Sequence, residues 1–166
     1  MPNNYASTTV CFDGIMSMMQ KLNQKTKLPC PAEQLLPHRP PMLLIDSLLQ
    51  REKDRAVASA RFDENNIFLS RDRGLLPEYF IEIVAQTMAA ANGFDACNSN
   101  SKVKDGFLVG LESFSLHHPL PDTQEFRIVA VKDMAFGQMQ VIDGEVFADS
   151  TPIASVRLKL WEDKTD

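Results

Sequence analysis

YFIEIVAQTMAAANGF, residues 79–94, is the most apolar part of the chain, yet it carries one carboxylate and one amide. At helical spacing Ile81, Ile83, Val84, Ala85, Met88, Ala89, Ala90 and Ala91 surround Glu82 and Gln86 so completely that no face of a helix here is polar. A helix apolar all round is a buried helix. Glu82 and Gln86 are four residues apart, share one face and can hydrogen-bond, whereas a lone charge in such surroundings is costly. Either a partner offsets that cost or a site uses it.

Pro77 stands at a permitted first-turn position, so the helix is expected from about residue 78 into the low or middle 90s. Gly93 either ends it or weakens it. Upstream, five prolines between Pro29 and Pro41 leave "AEQLL" room for a short helical turn. "MLLIDSLLQ" (42–50) and "RAVASARF" (55–62), joined by the charged turn "REKD", read as an antiparallel pair of strands. "IFLSRDRGLLP" then leads to the helix, and "NSNSKVKDG" (98–106) is a loop by composition. Four further strands are expected at roughly 107–116, 124–133, 137–148 and 152–161, with turns at "HHPLPDTQ" and "ADSTP". Asp143-Gly144 is a hairpin signal in the third of these, and the preferred reading is one long strand bent at a glycine bulge.

Strands and helix are segregated, which excludes a doubly wound parallel sheet and implies α+β with an antiparallel sheet. One curved sheet covers only part of a helix that is apolar all round, and a second subunit can cover the rest.

The 166 residues suit one domain at 29–166, preceded by a polar leader at 1–28 that reads as a flexible appendage. A formal charge of −5 and no basic stripe disfavour nucleic acid. No apolar run is long enough to span a bilayer, and the N-terminus lacks a secretion pattern. Cys11, Cys30 and Cys97 are odd in number and far apart, which argues against a disulfide framework or a metal site and suits a reducing cytoplasm. The adjacent His117 and His118 are no metal signal on their own.

Three stretches together resemble the β-hydroxyacyl-acyl carrier protein dehydratases of the FabZ/FabA type. "LLPHRPPMLLIDSLL" (35–49) is similar to their opening motif and "IEIVAQTMAA" (81–90) to their central helix, with Glu and Gln at the same spacing. "FLVGLESFSLHHPLPDTQEFRIVAV" (107–131) resembles the strand, Pro-containing turn and strand that follow. "LLPHRPPML" with "GFLVG" is similar to a divergent branch associated with aryl-polyene-type polyketide pathways. The likeness covers roughly 30–161 and implies the hotdog fold, a long central helix wrapped by a curved antiparallel sheet, assembled as a homodimer or with another hotdog protein. It implies no cofactor, and a substrate carried on an acyl carrier protein.

In the family a loop histidine removes the α-proton of a 3-hydroxyacyl thioester, a helix carboxylate from the other subunit protonates the departing hydroxyl, and backbone N–H groups at the helix start hold the thioester oxygen. The resemblance gives Glu82 the carboxylate's role, since an acid working near neutral pH needs apolar surroundings that disfavour its charged form. It gives Gln86 the task of orienting that acid or contacting the thioester. Where the family has its histidine in "GHFPG", this chain reads "LSRDRG" (69–74), with Arg71 at or near the histidine position. An arginine stays protonated and cannot be the base; Asp72 can be one only if the loop reaches the tunnel. Arg71, Asp72 and Glu78 join Gln86 as candidate substrate-binding residues. His38, inside the opening motif, is expected to be structural. Arg71, Arg73, Lys102 and Lys104 flank the loops bracketing the helix and can form a basic rim for an acidic carrier protein. The alternatives to a dehydratase are a non-catalytic hotdog subunit paired with an active one, and an acyl thioesterase.

Overall fold

The computed structural model describes residues 25–103, 105–117 and 125–163; the leader before residue 25 lies outside them. Among the described residues are nine strands and one α-helix: β1 (Cys30–Pro31), β2 (Ser47–Glu52), β3 (Arg55–Arg61), β4 (Leu69–Ser70), β5 (Gly74–Leu75), α1 (Glu78–Ser99), β6 (Gly106–Leu116), β7 (Glu125–Phe136), β8 (Met139–Ala148) and β9 (Thr151–Glu162). Seven strands form one sheet in the order β1-β2-β3-β7-β8-β9-β6. Every pairing in it is antiparallel. The strands β4 and β5 form a separate small hairpin before the helix. This is the α+β hotdog architecture, with α1 against the concave face of the sheet.

Alternation of apolar and polar residues builds that face. Ala154, Val156 and Leu158 of β9 point inward and are buried, together with Ile128 and Ala130 of β7 and Ile142 and Val146 of β8. They meet Tyr79, Phe80, Ile83, Val84 and Met88 of α1 in one core. Outward-facing Arg157 binds Asp133, Asp143 and Glu112 across four strands.

The helix is longer than expected. It runs through Gly93 and stops at Asn100, whose left-handed conformation (φ 54°) ends the helix in the usual way for a non-helical cap. Gly93 is there for closeness instead, since a Cβ on it would stand 2.2 Å from the carbonyl oxygen of Leu35. The same reason corrects the reading of Gly144. Strand β8 passes through Asp143 and Gly144 with no register shift towards β7 or β9, so there is no glycine bulge at that point. A Cβ at Gly144 would lie 2.3 Å from Cγ1 of Val84, so the glycine lets helix and sheet approach.

The strand expected from residue 42 begins only at Ser47. Residues 42–44 spend their backbone groups elsewhere: the N–H groups of Met42 and Leu43 donate to the Arg39 carbonyl, and the helix takes others. "AEQ" forms a 3-10 turn at Ala32–Gln34, as expected. The predicted turn at "HHPLPDTQ" falls almost wholly outside the described residues.

Candidate active site

Helix α1 is not covered on every side. Glu82, Ala85, Ala89 and Asn92 follow one another at helical spacing and line a cleft of about 340 Å³. The opposite wall holds Gly106, Phe107 and Leu108 at the start of β6, with Gln140 of β8 and Leu160, Trp161 and Glu162 of β9. Leu35, Leu36, Pro37 and His38 complete the lining. Mostly apolar walls with a few convergent polar groups are the usual make-up of a small-molecule site.

Gln86, 1% exposed, organises the polar part. Its Nε2 donates to Glu82 Oε1 (2.8 Å) and to the carbonyl of Met42 (2.7 Å), while its Oε1 accepts the N–H of Leu44 (2.9 Å). Both ends of the amide are thereby engaged, so its orientation is fixed by backbone on one side and carboxylate on the other. Glu82 is half-buried, and among the described residues its Oε2 has no hydrogen-bond partner. One oxygen is held and the other is left for whatever enters the cleft.

The remaining candidates lie elsewhere in the chain. Arg71 and Asp72 occupy the exposed turn between β4 and β5, and neither they nor exposed Glu78 lines the cleft of Glu82. At the helix start the N–H groups of Tyr79 and Phe80 donate to the carbonyls of Leu76 and Pro77 (3.1 and 3.0 Å), so these two are engaged within the chain. Arg73 and Lys102 are exposed, and Lys104 is outside the described residues. His117 is exposed with its Nε2 3.1 Å from Ser155 Oγ; His118 is outside the described residues. Cys30 is buried and Cys97 exposed, both free thiols; burial, with Cys97 second, pushes the Cys30 thiol up. Among the described residues no group of three or more His, Cys, Asp or Glu side chains is placed to hold a metal, and no helix is long and apolar enough to cross a membrane.

His38 was not expected in this place. It lines the same cleft as Glu82, and its Nδ1 is buried with no hydrogen-bond partner among the described residues. The signal available in the sequence was its position between Pro37 and Arg39-Pro40-Pro41, a short rigid segment that must turn sharply.

One long helix against a curved antiparallel sheet, with a cleft beside its carboxylate, defines the class as a hotdog protein. Residues 30–166 match the ApeP-like family, described as ApeP dehydratase, and the chain belongs to that family. It is a divergent, dehydratase-like hotdog protein. A 3-hydroxyacyl-[acyl-carrier-protein] dehydratase FabZ from a Nitratiruptor species is 26% identical over 141 residues, covering 76% of this chain and 91% of the relative. Among solved structures, the dehydratase heterocomplex ApeI:P from Xenorhabdus doucetiae contains a chain similar at TM-score 0.71 and 20% identity, with 82% of this chain and 93% of that one covered. A conserved protein from Pseudomonas aeruginosa matches at TM-score 0.59 and 12% identity, covering 79% and 98%.

Proposed function

We propose that the chain works as one subunit of a hotdog dimer on 3-hydroxyacyl groups carried as thioesters on an acyl carrier protein, in fatty-acid or aryl-polyene-like biosynthesis. Glu82 delivers a proton to the departing hydroxyl, and no cofactor is required. The observation that carries this reading is the Gln86–Glu82 hydrogen bond at the wall of an apolar cleft. It fixes one carboxyl oxygen and leaves the other for the substrate. A carboxylate serving structure alone gains nothing from a cleft beside it.

The dimer follows from the sheet edge. The register of β6 against β9 turns Leu108, Leu111 and Leu116 to the same side as the buried Leu158 and Ala154, yet these three leucines are 44–47% exposed. Nothing else among the described residues buries them, and a long apolar edge strand is normally paired or covered. The occupant is a second hotdog chain, whose β6-like edge extends the sheet. In that arrangement Arg71, Asp72 and Glu78 approach the partner's cleft, and Arg71, Arg73 and Lys102 offer a basic approach to an acidic carrier protein. A cytoplasmic setting accords with that partner.

The same edge favours a second reading. Because Arg71 stands where a catalytic histidine is expected, the chain can be a subunit that lends Glu82 to a partner bringing its own histidine.

The test is a panel of 3-hydroxyacyl thioesters given to the purified chain, alone and mixed with any co-encoded hotdog protein. Dehydration lost in Glu82→Gln supports the proposal. Activity only in the mixture selects the second reading, and release of free acid and thiol identifies a thioesterase. Full turnover and higher stability in Glu82→Gln would leave the carboxylate without a chemical role.

A further inference from the structure

We propose that the leader of this chain folds back on the outer face of the sheet, where residues 12–22 cover a row of exposed apolar side chains behind the cleft.

The row is set by register. Phe136 pairs with Met139 across β7 and β8, Met139 with Trp161 across β8 and β9, and Trp161 with Phe107 across β9 and β6. Directly opposed residues share a face, so four large apolar side chains stand side by side across four strands. In the next pair, Leu108 and Leu160, Leu160 packs against the core, and alternation therefore turns the row outward. Met134, two residues before Phe136 in β7, lies on the same face and widens it. Phe136 is 88% exposed, Phe107 56% and Met134 55%. Single apolar residues on a surface are ordinary, whereas a contiguous patch marks a contact. Phe107 and Trp161 also belong to the wall of the Glu82 cleft, so whatever covers the row supports that wall.

The leader carries the matching pattern. Phe12, Ile15, Met16, Met19 and Leu22 follow one another at helical spacing, with Asp13, Ser17, Gln20 and Lys21 on the opposite side. As a helix, the stretch from Phe12 to Leu22 is about 15 Å long. The row crosses three strand spacings, about 14 Å.

The described chain also begins at the right end of the molecule. Asn98, beside the last residue of α1, donates its Nδ2 to the Thr26 carbonyl (3.4 Å). Residues 100–105 lead from the helix end to Gly106, and the Asp105 carbonyl accepts the N–H of Asp163 (2.8 Å), just beyond Trp161. Extended, the steps from Leu22 to Thr26 reach about 14 Å. Asp105, Glu162 and Asp163 flank Phe107 and Trp161 in the chain, and the leader brings Lys21 and Lys25 past them. The same carboxylates disfavour an anionic lipid surface as the occupant, and a second copy would set like charges against them.

Trp161 is the only tryptophan of the chain, so its fluorescence reports on the row directly. In the full chain its quenching by acrylamide is expected to be weak and independent of protein concentration. Phe12→Asp combined with Met19→Asp should shift the emission to longer wavelength and raise the quenching constant about twofold or more, while Ser17→Asp on the opposite side should change neither. The reciprocal measurement reads the leader. Phe136 is exposed enough to be replaced without loss of the core, and Phe136→Asp should speed trypsin cleavage after Lys21 about tenfold or more, as for a segment released from its contact. Equal quenching in the unaltered chain and both leader variants, with cleavage unaffected by Phe136→Asp, would overturn the proposal. So would protection of Trp161 that survives the double substitution and is lost on dilution, which identifies a second copy as the occupant. Protection that arises only with anionic vesicles identifies a membrane and overturns it equally.

Discussion

Gly93 of the helix lies directly beneath Leu35, so that a methyl group in its place would stand 2.2 Å from the Leu35 carbonyl oxygen. The obstructing atoms are backbone and cannot rotate away. Gly93→Ala should therefore lift the 35–38 turn from the helix, at a cost of about 1–3 kcal/mol despite the better helix propensity of alanine. Urea unfolding should show a lower midpoint at unchanged slope, and the same shift should reduce activity by displacing the part of the cleft lining that residues 35–38 supply.

Gln86 satisfies two backbone groups, the Leu44 N–H of which is buried, as well as Glu82. Gln86→Leu leaves the Leu44 N–H and the Met42 carbonyl without partners and should cost at least about 2 kcal/mol. Gln86→Glu sets a carboxylate against both the Met42 carbonyl and Glu82. It should be worse than Leu near neutral pH and recover as the pH falls, which a melting-temperature series across pH will show.

Tyr79 is fully buried among Phe62, Phe68, Phe80 and Phe126, and its hydroxyl has no hydrogen-bond partner among the described residues. Burial, with Asp46 second, pushes that hydroxyl far above its ordinary range, so it stays neutral. Tyr79→Phe keeps the ring packing and removes an unpaired polar atom. Equilibrium unfolding should find it neutral or up to about 1 kcal/mol more stable.

Leu111 faces the concave side of the edge strand and is 47% exposed. Leu111→Lys should prevent a second chain from covering it. Sedimentation of the unaltered protein is expected to give at least twice the chain mass of 18.6 kDa, and of the variant the monomer. A monomer in both cases, alone and mixed with any co-encoded hotdog protein, would refute the proposed interface.

On the outer face Lys159 and then Arg157 hold the Glu112 carboxyl below its usual value. With the folded value below the unfolded one, the stabilisation is present above the ordinary carboxylate range and is lost as the pH falls through the folded value. Acid titration of the melting temperature should show that loss, weaker at high salt. Arg157→Met should start lower at neutral pH and fall less steeply in acid, because the Glu112 carboxyl loses one of its two cationic partners.

Much of this was legible beforehand because hydrophobic periodicity is local. The alternation Ala154, Val156, Leu158, Leu160 announces a half-buried strand, and the apolar run around Glu82 announces a buried helix. Their segregation along the chain was enough for an α+β fold. Glycines were misread for the opposite reason: Gly93 and Gly144 exist for neighbours distant in sequence, Leu35 and Val84. The late start of β2 has a similar origin, since the Met42 carbonyl and the Leu44 N–H go to Gln86 rather than to the sheet.

The sequence by itself determined the segregated architecture, the burial of the central helix and the pairing of Glu82 with Gln86, because each depends on side chains a few residues apart. Only the tertiary structure decided that the helix keeps one side open to a cleft, that His38 rather than Arg71 lines it, and that the inward leucines of β6 are uncovered. Those outcomes depend on how far one curved sheet reaches around one helix and on contacts between residues dozens of positions apart, which no local pattern encodes.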